Sequence, residues 1–314
     1  MTSKNATECL QANAEGIARA VQILESGELV AVPTETVYGL AARADSPEAI
    51  AKIYAAKGRP EFNPLIVHVS SLEMARELAE FDTRALDLAK RYWPGPLTLV
   101  LPLYENAPIA RAVTAGLSTI AIRMPAHPVA SAIIEQLGMP IAAPSANRSY
   151  GLSPTKPEHV YASLVDDCPA LVDGGSCEAG LESTIVALRA GGTWRLLRPG
   201  PIPKEALSDL LGPEERGSAE QIEAPGQLER HYSPGKPLHL NRTKPKPGDF
   251  MIGFGEIEGD VNLSPGGDKA EAAARLYDCL HIAAASDKAG ISVAPIQPHG
   301  IGKAINDRLK RAAA

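Results

Sequence analysis

Two short polar clusters, Lys57-Gly58-Arg59 and Ser145-Ala146-Asn147, combine residue types that can hold a phosphate. Lysine supplies a mobile point charge, and arginine a planar fork that takes two phosphate oxygens. Ser145 and Asn147 stand two residues apart, so on an extended backbone their hydroxyl and amide project to one side. A nucleotide bound here would be held by side chains, because the chain has neither a Walker loop nor a Gly-x-Gly-x-x-Gly opening a helix. Plainer uses exist for the same residues: cations complement the dipole at a helix C-terminus, and Ser-x-Asn makes an ordinary turn after a strand. Arg123 ends the apolar run Thr119-Ile120-Ala121-Ile122. A guanidinium buried there needs an anionic partner, and a substrate carboxylate would serve. Ser183-Thr184 and Arg198 repeat that theme. His68 lies in the apolar run Leu65 to Val69, where an imidazole serves equally as a hydrogen-bonded core residue, and Thr34 and Thr36 carry the same ambiguity. The surroundings of these groups are poor in carboxylates, which predicts an anion-binding cleft in place of an acid–base pair.

The elements that must carry these residues alternate between helix and strand. Ile17, Val21 and Leu24 fall on one helical face, and Gly27 stops it, so a first helix is predicted over 15–26, followed by a strand from Leu29 to Val32. Residues 34–39 then leave the sheet as a loop. Ser46-Pro47-Glu48 is a helix start, with a capping serine, proline at the first helical position and an acid in the first turn; that helix ends at Lys57-Gly58. Strands are predicted at 65–69, 97–101, 120–123, 140–143, 171–173, 183–188 and 194–197, the last two as a hairpin. Helices are predicted at 72–80, 83–92, 127–137 and 203–211. The strand at 140–143 delivers Ser145 and Asn147 at its carboxyl end, where sheets of this kind bind ligands. The stretch 213–235, rich in Glu, Gly and Pro, reads as a linker. A second unit follows, with strands at 237–240, 250–254 and 291–294 and helices at 268–286 and 302–311.

With 314 residues, 45% apolar and 22% charged, the chain has the composition of an ordinary globular protein of about two domains. A net charge of −6 argues against wholesale nucleic-acid binding. The cysteines at 9, 168, 177 and 279 form no Cys-x-x-Cys pair, which points to reduced thiols and no structural zinc. The first residues lack the pattern of a signal peptide, and no run reaches the length of a membrane span, so a cytoplasmic protein is expected.

Taken in order, Pro-Thr-Glu-Thr-Val-Tyr-Gly-Leu (33–40), Lys-Gly-Arg-Pro (57–60), Asn-Pro-Leu-Ile-Val-His (63–68), Trp-Pro-Gly-Pro-Leu-Thr (93–98), Ile-Arg-Met-Pro (122–125), Ala-Pro-Ser-Ala-Asn (143–147) and Glu-Ser-Thr-Ile-Val (182–186) resemble the YrdC-like family. His231-Tyr232-Ser233-Pro234 and Gly302 to Leu309 extend the likeness to the long, two-domain L-threonylcarbamoyladenylate synthases. The resemblance implies an α/β (mixed α+β) fold: a YrdC-like twisted mixed sheet flanked by helices in residues 1–212, a linker or lid over 213–235, and a smaller Rossmann-like α/β domain in 236–314. It implies synthesis of threonylcarbamoyl-AMP from L-threonine, bicarbonate and ATP with release of pyrophosphate, the first step of tRNA threonylcarbamoyladenosine modification. Magnesium is expected with ATP, and no protein metal site. By position, Lys57, Arg59, Asn63, Thr119, Ser145, Asn147, Thr155, Arg198 and Tyr232 would surround the nucleotide, with Lys57 and Arg59 as catalytic cations. Thr36, His68, Arg123 and Ser183 would form the threonine pocket, Arg123 holding the carboxylate and Thr34 and Tyr38 lining it. Ser153 and Thr184 are the alternatives to their neighbours Thr155 and Ser183. The clusters at 57–59 and 145–147 would form opposite walls of one ATP site, and the linker, through Tyr232, a lid whose removal with the second unit leaves the first domain folded but lowers product formation. Partners implied are the downstream tRNA threonylcarbamoyl-transferase machinery and, weakly, tRNA itself, with no membrane. Competing readings are an RNA-binding module, adenylation of another carbamate as in hydrogenase-maturation carbamoyltransferases, and a sugar-phosphate lyase of similar fold.

Overall fold

The computed structural model describes residues 7–164, 166–215, 223–227 and 231–314. The strands of the first part are Glu8–Gln11 (β1), Val30–Val32 (β2), Gly39–Arg43 (β3), Ile66–His68 (β4), Leu97–Pro102 (β5), Thr119–Arg123 (β6), Ile141–Ala142 (β7), Ala170–Asp173 (β8), Thr184–Leu188 (β9) and Trp194–Arg198 (β10). They form one mixed sheet in the order β1-β8-β2-β3-β7-β4-β6-β5-β9-β10. Its helices are Ala14–Glu25 (α1), Pro47–Lys57 (α2), Leu72–Arg76 (α3), Thr83–Tyr92 (α4), Pro128–Leu137 (α5), Pro157–Leu164 (α6) and Lys204–Leu211 (α7). The second part places Leu238–His239 (β11), Asp249–Gly253 (β12), Val261–Asn262 (β13) and Gly290–Val293 (β14) in a parallel sheet ordered β11-β14-β12-β13. Lys269–Ala285 (α8) and Gly302–Ala312 (α9) share a buried core with those strands. The expected mixed sheet and smaller Rossmann-like unit are both present. Of the linker, positions 216–222 and 228–230 lie outside the described residues.

The middle of the large sheet explains where polar side chains emerge. Val67, Ile122, Leu99 and Val186 occupy one row across β4, β6, β5 and β9, and all four are fully buried in the main core. Each contributes roughly 1.5–3 kcal/mol of burial, which fixes the register of these strands. One residue further along, His68, Arg123 and Thr98 form the next row. Because side chains alternate, this polar row faces the opposite side of the sheet. On that side lies a small cluster of Ile66, Val100, Ala121, Ile185, Ala187 and Leu197, covered by Ala224 of the linker.

The predicted start of α2 is present in detail. Ser46 accepts from the Ala49 amide, Pro47 opens the helix, and Gly58 ends it in the left-handed region at φ 58°. Four of the named elements went unread in the sequence, among them the two-residue β13. Strand β3 is Gly-Leu-Ala-Ala-Arg, with no β-branched residue to mark it, and β1 and α6 lie where no element was expected. Helix α3 stops at Arg76, short of the predicted residue 80, because the Glu80 amide bonds to Pro102 O and the Tyr104 amide to Leu78 O. The chain there joins the end of β5 instead of continuing as helix.

Candidate functional site

His68 and Arg123 of that row face a cavity of about 40 Å³ lined also by Thr34, Thr36, Arg59, Ser145, Glu182, Ser183, Arg198, Pro225, His231 and Tyr232 among others. That volume has room for about three waters. The loop 34–38 enters from β2, Arg59 from the turn after α2, Ser145 from the end of β7, Ser183 and Arg198 from the two ends of the β9–β10 hairpin, and Tyr232 from the linker.

A directed hydrogen-bond chain runs along one wall. Arg123 Nη1 donates to Thr36 Oγ1 at 2.8 Å, Thr36 and Thr34 hydroxyls meet at 2.9 Å, and Thr34 Oγ1 donates to Val37 O at 2.6 Å. The last bond uses Thr34's only hydroxyl proton, so Thr36 donates to Thr34. On the other wall Arg198 Nη2 donates to Ser183 Oγ at 3.0 Å, and Ser183 Oγ meets Thr98 Oγ1 at 2.7 Å. Burial, followed by the charge of Arg123, pushes the His68 imidazole down to about 3, so it is neutral at physiological pH.

The cations of this site have an unusual partner list. Lys57, Arg59 and Arg198 are all buried. Arg59 donates to Asn63 O at 3.0 Å and Pro64 O at 2.7 Å, and Arg198 to Ser183 O at 3.0 Å. No ion pair to a carboxylate joins any of the three among the described residues. Burial lowers all three, Arg59 to about 10, with Arg198 adding to the effect on Arg59 and Arg59 to that on Lys57. Like charges held together, with Glu182 acting on Arg198 through the field and not as an ion pair, favour an added anion. Four buried polar atoms also lack a protein partner: Asn63 Oδ1, His68 Nδ1, His231 Nδ1 and Tyr232 Oη. An unmet buried group costs about 1–3 kcal/mol, which a ligand would relieve.

The structure revises three expectations. First, the clusters 57–59 and 145–147 are not opposite walls: Lys57 Nζ donates directly to Ser145 O at 2.6 Å and to Asn147 O. Second, the surroundings are not poor in carboxylates, since Glu35 and Glu182 are both buried there. Third, Arg123 has an internal anionic partner, with Nη2 at 2.7 Å from Glu35 Oε1. That pair is close but not in hydrogen-bonding alignment, leaving both Glu35 oxygens and Nη2 without a directed bond.

Of the residues nominated from sequence, Thr34, Thr36, Arg59, His68, Arg123, Ser145, Ser183, Arg198 and Tyr232 come together at the cavity. The others sit behind its wall. Lys57 is spent on carbonyls, and Asn147 Nδ2 is bonded to Arg148 O and Gly151 O. Tyr38 donates to Gly175 O at 2.8 Å and accepts from the Gly174 amide. Thr155 faces His159 Nδ1, and its neighbour Ser153 donates to Glu182. Asn63 uses its carbonyl on Arg59. Thr119 opens β6 while Arg123 closes it, a separation of about 13 Å at ~3.3 Å per residue. Thr184, the alternative to Ser183, points away and bonds Ile202 O. Sequence reasoning passed over Glu35, Glu182 and Thr98, although all three stand inside quoted motifs, because a motif gives order and not which side chains face each other. Burial raises the Glu182 carboxyl, but Arg308 and Arg198 reverse this and hold it at about 2.

The chain matches the family model described as "Telomere recombination" (Sua5, YciO and YrdC) over residues 22–200. Residues 202–314 match the model described as "Threonylcarbamoyl-AMP synthase, C-terminal domain". A threonylcarbamoyl-AMP synthase of Bacillus subtilis is 40% identical, over 98% of this chain and 95% of the relative. A putative threonylcarbamoyl-AMP synthase of Mycobacterium tuberculosis is shorter: at 37% identity the match covers 63% of this chain and 89% of that protein. Among solved structures, P. abyssi Sua5 complexed with L-threonine superposes with a TM-score of 0.89 at 35% identity, covering 98% of both chains. Escherichia coli YciO shares the fold over 62% of this chain, with a TM-score of 0.53 at 22% identity.

Proposed function

The chain belongs to the threonylcarbamoyl-AMP synthase family, and we propose that its cavity binds L-threonine beside an ATP triphosphate and joins them through bicarbonate. The protein is a nucleotidyl-transferring enzyme of tRNA threonylcarbamoyladenosine synthesis. One observation carries the assignment of the site: Arg59 and Arg198, two buried cations that share a cleft with neutral hydroxyls, form no ion pair with a carboxylate among the described residues.

In this reading the threonine carboxylate takes the Nη2 edge of Arg123, whose pairing with Glu35 is close but misaligned. Thr36, Ser183 and neutral His68 orient the rest of the amino acid. The threonine amine and bicarbonate give N-carboxythreonine and water. A carbamate oxygen then attacks the α-phosphorus as the bond to pyrophosphate breaks, and Arg59 and Arg198 offset charge on the departing group. Lys57 acts from behind, tying the loop at Ser145 and Asn147 to the end of α2. Magnesium enters as part of the nucleotide substrate and balances phosphate charge. No residue is assigned to hold it, since Glu35 and Glu182 are engaged by arginines. His231 and Tyr232 close over the cavity, and its small volume requires them to move before substrates enter. We assign the reaction to the cytoplasm, in keeping with the free cysteines Cys9, Cys168, Cys177 and Cys279. Among the described residues no helix is long and apolar enough to cross a membrane.

The decisive assay follows pyrophosphate and acyl-AMP with ATP, magnesium, bicarbonate and each of threonine, serine and glycine. Pyrophosphate release that ignores threonine and bicarbonate would falsify the assignment. Arg59→Ala should still fold, because it strands no carboxylate and relieves repulsion, at a cost of about 1–3 kcal/mol for the carbonyls of Asn63 and Pro64 that lose its donors. It should nevertheless lose about 10²–10³ in kcat, the scale of a deleted transition-state donor.

A further inference from the structure

The side chain that reaches furthest into the site's framework without touching the cavity is Arg308, on α9 of the second unit. It has no exposed surface. Its Nε donates to Glu182 Oε2 at 2.7 Å, Nη2 to Pro199 O at 2.9 Å and Nη1 to Asp307 Oδ2 at 2.7 Å. Its guanidinium carbon lies 5.3 Å from the centre of the Tyr232 ring. Tyr277, on α8, adds a hydroxyl at 2.9 Å and 3.1 Å from the two Glu182 oxygens. Every segment held in this way adjoins a cavity residue. Glu182 precedes Ser183, Pro199 follows Arg198, and Tyr232 itself closes the cavity.

We propose that Arg308 is a positioning residue for the reaction, fixing the Glu182–Ser183 step, the Arg198–Pro199 step and the Tyr232 ring relative to one another. The proposal rests on the site reading above and gives the second unit a role in catalysis. Arg308 is not a catalytic residue, since it does not line the cavity. Its geometry is specific to a guanidinium. A lysine would reach Glu182 as a point charge, but it cannot also fork to Pro199 O while presenting a flat face to Tyr232. Buried ion pairs that serve only as glue contribute little net stability. Three attachments to three segments of one site are instead what alignment of reacting groups demands, and a shift of about 1 Å there is felt at about 10²-fold in rate.

The test uses full-length protein and begins with threonine- and bicarbonate-dependent pyrophosphate release by wild type. Failure at that step sinks the site reading, whereas the variants judge only the role of Arg308. Arg308→Lys keeps the charge beside Glu182 and should melt within a few degrees of wild type. It should lower kcat by about tenfold or more and raise the threonine KM, the pattern of a displaced positioning group. Tyr277→Phe, which keeps the ring and deletes the hydroxyl, should shift both parameters in the same direction by a smaller factor. Lys303→Ala is the control for loosening the contact between the units, because it removes only the surface pair to Glu205 at 2.6 Å. It should retain wild-type kinetics. Wild-type kcat and threonine KM in both Arg308→Lys and Tyr277→Phe would overturn the proposal. So would a loss in Lys303→Ala equal to that in Arg308→Lys, which would reduce Arg308 to glue. If Arg308→Lys fails to fold, the kinetics of Tyr277→Phe decide alone.

Discussion

A neutral imidazole buried among cations makes the fold sensitive to acid. His68 and His231 are both pushed to about 3, each chiefly by burial, His68 then by Arg123, and His231 against the opposing charge of Glu182 and with Lys57, Arg59 and Arg198 adding to the fall. In the unfolded chain each titrates near the ordinary histidine value of 6.5. Because the folded value is depressed, the unfolded state binds more protons below pH 6.5. Stability is therefore full above that pH and falls as pH drops toward 3. Two such groups remove about 4 kcal/mol between pH 7 and pH 5, a large share of an ordinary fold's 5–15 kcal/mol. His281, lowered to about 4 but partly exposed, adds less. The expected outcome is a melting temperature that drops steeply below pH 6, with His68→Gln flattening the slope by about one proton. A melting temperature flat from pH 7 to pH 5 would mean that these imidazoles are not held neutral. Glu35 and Glu182 belong to the same scale. Glu35 neutralises an arginine that the sequence offered to a ligand, while Glu182 pairs with Arg308, which the sequence did not offer, so whether Arg123 is an anion site is settled by how loosely Glu35 grips it and not by its residue type.

Among the elements, those with strong local rules were legible in the sequence. Helix α2 has a cap, a proline and a stop glycine, and its span follows from them. The hairpin β9–β10 and the central strands follow from their apolar runs. Strand β3 was hidden because its alanines carry no strand preference, and its place comes from pairing with β2 on one side and β7 on the other. The end of α3 was likewise decided by a distant partner, the tip of β5. In the site, order along the chain located nine nominated residues at the cavity, but direction was set by backbone turns. Gly58 lets Lys57 and Arg59 point to different sides, which no pattern of charges reveals. Gly226 does comparable work in the linker. Its φ is 84°, and a Cβ there would stand 2.9 Å from Arg198 Cδ and 3.1 Å from Tyr232 Oη. Gly226→Ala should therefore lose about 1–2 kcal/mol from the left-handed backbone alone and lift Tyr232 off the cavity. Thermal melts and the pyrophosphate assay would show a drop of several degrees and a turnover reduced by about tenfold or more. Full turnover in a folded Gly226→Ala protein would detach this part of the linker from the chemistry.

On the scale of the whole molecule, the two units share one core across the site. Val37 from the loop between Thr36 and Tyr38, Leu152 and Leu181 are buried in the same cluster as Tyr277, Leu276, Ile305 and Leu309 of the second unit. Removing residues 213–314 therefore does more than delete a lid. It exposes Val37, which lines the cavity, and Leu181, next to Glu182, and leaves the Glu182 carboxylate without Arg308 and Tyr277. A buried carboxylate stripped of its partner costs about 3–5 kcal/mol unless it reaches water, and the loops carrying it will move to reach water. The two main clusters of the first unit contain no residue beyond 212, although the cut takes Ala224 from the small cluster on the sheet's other face and the Glu215 amide from Trp194 O. Residues 1–212 should consequently keep the circular-dichroism signature of a folded α/β unit while melting several degrees below the full chain and losing most threonine-dependent turnover. The second unit supplied separately as residues 213–314 should restore part of that turnover in a concentration-dependent way, because the surface it covers includes the Glu182 pocket. Undiminished turnover by residues 1–212 alone would show that neither the shared core nor the Arg308 contacts bear on the reaction.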